Sequence, residues 1–136
     1  MVVLTKEILE YIKIFSAITR AEVRHCLLDP ISIIFVVEPY QAGKAVGKNG
    51  INVRRLSKMF RKSIRIIEFN EDKITFLKNI LFPIIPRDIR LENNTITIAP
   101  EDNIQRGRIY GRERSNLKKI NEIFRIDFNN FEIVIA

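Results

Sequence analysis

Along this chain the spacing of apolar residues changes from helical to extended and back, and the whole progression occurs twice. Ile8, Tyr11, Ile12, Phe15 and Ile18 recur at three- and four-residue intervals, which predicts an amphipathic helix with Thr5 as its N-cap and Leu4 and Leu9 as a hydrophobic staple. Residues 22–28 and 31–37 then read as strands joined by a tight turn at Asp29-Pro30. The second of them, "ISIIFVV", is apolar on both faces and is expected to be central in its sheet. Pro39 is expected to open a short helix that runs into a loop at residues 47–50. Residues 51–61 predict another helix, with Val53, Leu56, Met59 and Phe60 facing the core, and residues 63–69 close the series as a strand.

The second series has the same order. A helix is expected to start at Asn70, with Glu71 and Asp72 behind it, and to end at Pro83. Strands at 87–91 and 95–99 flank the turn signal Asn93-Asn94. Pro100 is expected to open a short helix, residues 111–114 to form a loop, and residues 115–124 a helix with Leu117, Ile120, Ile123 and Phe124 inward. A strand at 131–135 comes last. The fold class implied is α+β, with the order α-β-β-α-α-β in each half.

A shift of 64 residues lays "GKAVGKNGINVRRLSKMFR" (43–61) over "GRIYGRERSNLKKINEIFR" (107–125). Gly43/Gly107, Gly47/Gly111, Asn52/Asn116, Phe60/Phe124 and Arg61/Arg125 are identical, as are Gln41 and Gln105 just upstream. This is an internal repeat, and it divides the chain into domains at 1–69 and 70–136. Each is near the lower size limit for independent folding, so the two are expected to pack together.

Composition decides what kind of partner such a chain has. Of its 136 residues 46% are hydrophobic, enough for a packed core, and the net charge is +7 with a pI near 9.8. The excess is concentrated: residues 39–67 contain no acid and carry +8, and residues 103–121 carry +5, so the rest of the chain is net negative. Two basic segments in an otherwise acidic chain point to a polyanion, and to nucleic acid above others. No apolar run approaches the length of a membrane span, and the charged N-terminal segment is unlike a signal peptide, so a cytoplasmic protein with no membrane partner is expected. Cys26 has no second cysteine to pair with, and beside His25 it makes no metal-ligand set.

The glycine-rich 47–50 loop lies inside the first basic segment. A nucleotide P-loop would need G-x-x-x-x-G-K-[ST], but Gly43 and Gly47 are one residue too close and Asn49 stands where the hydroxyl should be. No carboxylate cluster, Ser/His/Asp set or Cys/His pair is arranged for catalysis, so binding without turnover and without a cofactor is expected. A G-x-x-G between two helices instead lets a sugar-phosphate strand approach the backbone, with Lys48 adding charge and Asn49 a donor.

"AVGKNGINVRRL", followed by a strand, resembles the V-I-G-x-x-G-x-x-[IV]-x-x-[IL] signature of the KH domain, and the element order resembles its type II variant. Two tandem type II KH domains with little else are similar to the archaeal NusA-like transcription factors. The resemblance implies that Gly47, Lys48, Asn49 and Gly50 clamp the backbone of about four nucleotides of single-stranded RNA. Val46, Ile51, Arg54 and Arg55 would line or flank the groove for the bases. In the second loop Gly111, Arg112, Arg114 and Lys118 would prolong the track. There Arg114 replaces the last glycine and is expected to resist a positive φ, while Glu113 would repel phosphate, so a loop kept only for packing is the competing reading.

The function implied is a monomeric factor that regulates transcription termination or antitermination by holding nascent RNA near RNA polymerase. Three alternatives stay open: a KH protein of the ribosome or its assembly, a nucleotide enzyme with a P-loop-like site, and a protein-interaction scaffold.

Overall fold

The computed structural model describes residues 4–136. The chain forms two compact units, which meet along the sequence between Asn70 and Glu71.

In the first unit, α1 (Lys6–Thr19) starts where the Thr5 hydroxyl accepts a hydrogen bond from the Ile8 amide at 3.1 Å. Leu4 and Leu9 are more than half exposed, so the cap rests on this hydrogen bond and the expected staple adds little. Strands β1 (Val23–Leu28) and β2 (Ser32–Val37) form an antiparallel hairpin, closed by the Asp29 amide donating to the Ser32 carbonyl at 2.9 Å. Helices α2 (Ala42–Val46) and α3 (Ile51–Phe60) lead to β3 (Ser63–Glu68), which pairs with β2 in parallel. Parallel neighbours cannot be joined by a hairpin and need a crossover. The α2–α3 pair is that crossover, and the 47–50 loop is its midpoint. The sheet order β1-β2-β3 puts the apolar β2 in the centre, as its sequence predicts.

One buried cluster joins the helices to the sheet. Phe15 of α1 stacks on Phe35 of β2, with ring centres 4.0 Å apart and planes at 17°. Ile8, Cys26, Ile33, Val37, Ala45 and Leu56 complete the layer, so α1, α2 and α3 share one face of the sheet. Truncating a fully buried phenylalanine such as Phe15 costs about 3–5 kcal/mol. The loop is therefore carried by helices that are anchored through Ala45 on one side and Leu56 on the other.

The second unit contains α4 (Lys73–Leu81), β4 (Asp88–Glu92), β5 (Thr95–Ala99), α5 (Asn103–Tyr110), α6 (Ser115–Asp127) and β6 (Glu132–Ile135). Its pairing is of the same kind, β4 antiparallel to β5 and β5 parallel to β6. Phe76 of α4 lies 5.9 Å from Phe124 of α6, and Phe128 extends the group at 5.1 Å from Phe124. The Lys73 ammonium sits 5.1 Å from the Phe128 ring centre and 5.0 Å from that of Phe131.

Three helix starts and one core position differ from the sequence expectation. Pro39 lies in a turn and α2 starts at Ala42; the Gln41 side chain accepts from the Glu22 amide at 3.3 Å, tying the helix start to the segment before β1. In α4 the cap is Asp72, not Asn70, because its carboxylate accepts from both the Thr75 amide and hydroxyl. Those bonds hold the Asp72 carboxyl below its usual range. In α5 the cap is Asp102, accepting from the Gln105 amide at 2.8 Å, with Pro100 two residues earlier. Met59, expected inward, is 53% exposed, and Leu56 is the buried residue of α3.

Cys26 is 1% exposed, and burial pushes its thiol up to about 12. At pH 8 the folded protein should therefore fail to react with Ellman's reagent, while protein in concentrated guanidinium should titrate one thiol; a full signal without denaturant would contradict the packing of β1.

Candidate nucleic-acid interface

The loop begins where α2 ends. Gly47 takes φ 78° and ψ 165°, Asn49 φ 56° and ψ 26°, and Gly50 φ 71° and ψ 21°. The first of these pairs of angles belongs to a region essentially restricted to glycine, and the other two are left-handed. A Cβ added to Gly47 would come within 2.8 Å of Asn52 Nδ2, so this glycine is required by space as well as by angle. Asn52 is there because its amide donates to the Lys44 carbonyl at 3.1 Å, satisfying an acceptor left open at the end of α2. Gly50 is less constrained: a Cβ there would meet only the end of the Arg54 side chain, at 3.3 Å.

The 111–114 loop repeats this backbone almost angle for angle. Gly111 has φ 70° and ψ 173°, Glu113 φ 56° and ψ 33°, and Arg114 φ 63° and ψ 18°. The position thus needs the left-handed conformation, and Arg114 adopts it at the conformational cost expected of a residue with a side chain. A Cβ on Gly111 would lie 2.6 Å from the Asn116 side chain, whose amide donates to the Arg108 and Ile109 carbonyls at 3.2 and 3.1 Å. The first glycine and the asparagine five residues later form the invariant frame of both loops.

The predicted residues come together as two surfaces, one on each unit. Lys48 and Asn49 are exposed at the first loop, with Val46 and Ile51 as exposed apolar flanks and Arg55 exposed on the first turns of α3. Arg54 takes a different part, since its Nη1 donates to the Asn49 carbonyl and holds the loop from below. Arg65, counted in the basic segment, is largely shielded, and burial lowers its pKa against the opposing pull of Asp29. On the second unit a groove of about 440 Å³ lies between the end of α5, the start of α6 and β6. Arg114 and Lys118 line it, together with Tyr110, Leu117 and Ile133. Arg112 is exposed on the loop itself.

Lys48, Arg55, Arg112, Arg114 and Lys118 have no carboxylate partner among the described residues. Cations held at a fixed backbone turn, beside apolar side chains and without acidic partners, are equipped to receive a flexible polyanion carrying apolar rings. Sequence reasoning gave no role to Asn52, Asn116 or Tyr110. The asparagines were visible as an identity of the repeat, but their role depends on carbonyls that only the folded turn exposes. Among the described residues no three His, Cys, Asp or Glu side chains gather as a metal site, and no helix is long and apolar enough to cross a membrane.

Residues 9–99 match the family model described as KH domain, from within α1 through the whole first crossover and on to β5. The chain belongs to the KH-domain family. Among curated relatives, the "Probable transcription termination protein NusA" of Methanocaldococcus jannaschii is 28% identical over 125 residues, covering 90% of this chain and 68% of that protein. The protein of the same name from Thermoplasma acidophilum is 28% identical, covering 90% of this chain and 88% of its own length. That from Methanococcus vannielii reaches 40% identity, over 57% of this chain and 45% of that protein. The solved crystal structure of APE1850 superimposes with a TM-score of 0.74 at 25% identity, covering 98% of this chain and 100% of that one.

Within this KH protein the two loop glycines should not respond alike to substitution. Gly47→Ala combines a glycine-only backbone with a contact under 3.0 Å and should cost about 2–3 kcal/mol in urea denaturation. Gly50→Ala, left-handed but sterically open, should cost about 1 kcal/mol. Equal costs would mean that Asn52 does not set the frame.

Proposed function

We propose that the chain is a single-stranded-RNA-binding protein in which both units are type II KH domains, at 1–69 and 70–136. We further propose that it acts as a NusA-type factor in termination or antitermination, holding nascent transcript near RNA polymerase. The observation that carries this reading is the 47–50 loop: a glycine-framed turn between two anchored helices, with unpaired Lys48 and exposed Asn49 at its tip. Phosphates would meet Lys48 and the loop backbone, while Val46, Ile51 and Arg55 would meet bases beside them. The second loop supports the two-domain reading by repeating the backbone with Arg112 and Arg114 in place of lysine and glycine. The part in transcription is supported by the names of the relatives.

Affinity of this kind is largely counterion release, so it should fall steeply with salt. Fluorescence anisotropy of a labelled, mixed-sequence single-stranded RNA should show the Lys48→Asp/Asn49→Asp variant binding more than about tenfold more weakly than wild type. Circular dichroism should be unchanged, because neither side chain is buried. An unaltered Kd would take the 47–50 loop out of the interface, and a wild type that binds no RNA would rule out the RNA-binding reading. Co-purification with ribosomes and not with polymerase would redirect the function to the ribosome.

A further inference from the structure

We propose that Arg114 makes the groove of the second unit a stacking site for an unpaired base of single-stranded RNA, supplying with a side chain what the missing glycine would supply with bare backbone. This deepens the RNA-binding reading above and rests on it.

The groove has the chemistry of such a site. Leu117, Ile133 and Ile135 give it apolar lining. Tyr110 and Arg114 stand together beside them, the guanidinium carbon 5.7 Å from the centre of the Tyr110 ring. A nucleobase has apolar faces that stack on tyrosine rings and guanidinium planes alike, whatever its identity. Lys118 adds a cation for the attached phosphate; Glu132 in the lining and Glu113 on the loop are outnumbered by Arg112, Arg114 and Lys118. Charge thus selects a polyanion as occupant, and the flat apolar lining selects one that carries rings.

The first unit shows that the arginine has changed place. There a guanidinium also stands over the fourth loop position, but it comes from Arg54, reaches past Gly50 and is engaged by the Asn49 carbonyl. The counterpart of Arg54 in the repeat is Lys118, which makes no such bond. With Arg114 in the loop itself, the guanidinium is released from the loop carbonyl and meets Tyr110, whose counterpart in the first unit is Val46. The substitution keeps the left-handed backbone at a conformational cost that glycine would not incur. Regularising the loop to G-x-x-G should therefore stabilise the fold and weaken binding, the opposite of what a decayed motif would give.

The test compares wild type, Arg114→Gly and Arg114→Lys on a mixed-sequence single-stranded RNA carrying several 2-aminopurines, whose fluorescence falls on stacking. Arg114→Gly should melt at the same or a higher temperature, bind about five- to tenfold more weakly, and quench 2-aminopurine less. Arg114→Lys should keep the salt dependence of wild type while losing the same share of quenching. Binding and quenching by Arg114→Gly equal to or stronger than wild type overturns the inference, as does full quenching by Arg114→Lys. If at the same time Lys48→Asp/Asn49→Asp loses affinity, this inference alone falls; if wild type binds no RNA, both readings fall together.

Discussion

The interface depends on one backbone constraint. At Gly47 and Gly111 the chain must leave a helix through a conformation closed to any residue with a side chain, and in each case an asparagine of the next helix fills the space a Cβ would need. The asparagine cannot move aside without leaving helical carbonyls unpaired, since its amide is what satisfies them. Glycine and asparagine thus hold each other in place. The turn they define has its third and fourth residues, Asn49 and Gly50 or Glu113 and Arg114, in the left-handed region and brings residues 48–49 and 112–113 out to the surface.

This division explains how one frame supports two different surfaces. The fourth loop position has the same left-handed backbone in both units, and at Gly50 a Cβ would meet only the flexible end of the Arg54 side chain, so the frame takes glycine in one unit and arginine in the other. The first position has no such freedom and is glycine in both. What varies between the repeats is accordingly at the surface: Lys48 against Arg112, Gly50 against Arg114, Val46 against Tyr110, Arg54 against Lys118.

Much of this was legible in the sequence, because its strongest signals are the ones the fold uses. The apolar run of β2 marked a central strand, and the 64-residue repeat marked the two crossovers. Helix starts were read less well. Prolines at 39 and 100 and the Asn70 side chain predict openings, but α4 and α5 begin where a carboxylate reaches an amide three residues on, at Asp72 and Asp102. At Arg114 the residue type tells that a positive φ is costly, but not that the turn requires it. Arg54, expected to line or flank the groove, also donates to the Asn49 carbonyl, an acceptor that only the left-handed turn exposes. Each miss concerns a hydrogen bond or a gap that exists only after the chain has turned.

The placement of charge completes the argument from structure to partner. The ion pairs that tie elements locally lie apart from the loops, as Arg24 with Glu38 at 3.0 Å, Arg90 with Asp88 at 2.9 Å and Lys119 with Glu122 at 3.2 Å. Exposed pairs of this kind contribute little to stability. The loop cations Lys48, Arg112 and Lys118 have no acidic partner among the described residues and gain nothing of this kind. On the proposed reading, such cations, held on the glycine–asparagine frame among their own kind, are placed to gain from the arrival of a polyanion. The frame built by glycine and asparagine is therefore the structural part of the motif, and the basic side chains it presents are the part proposed to meet the ligand.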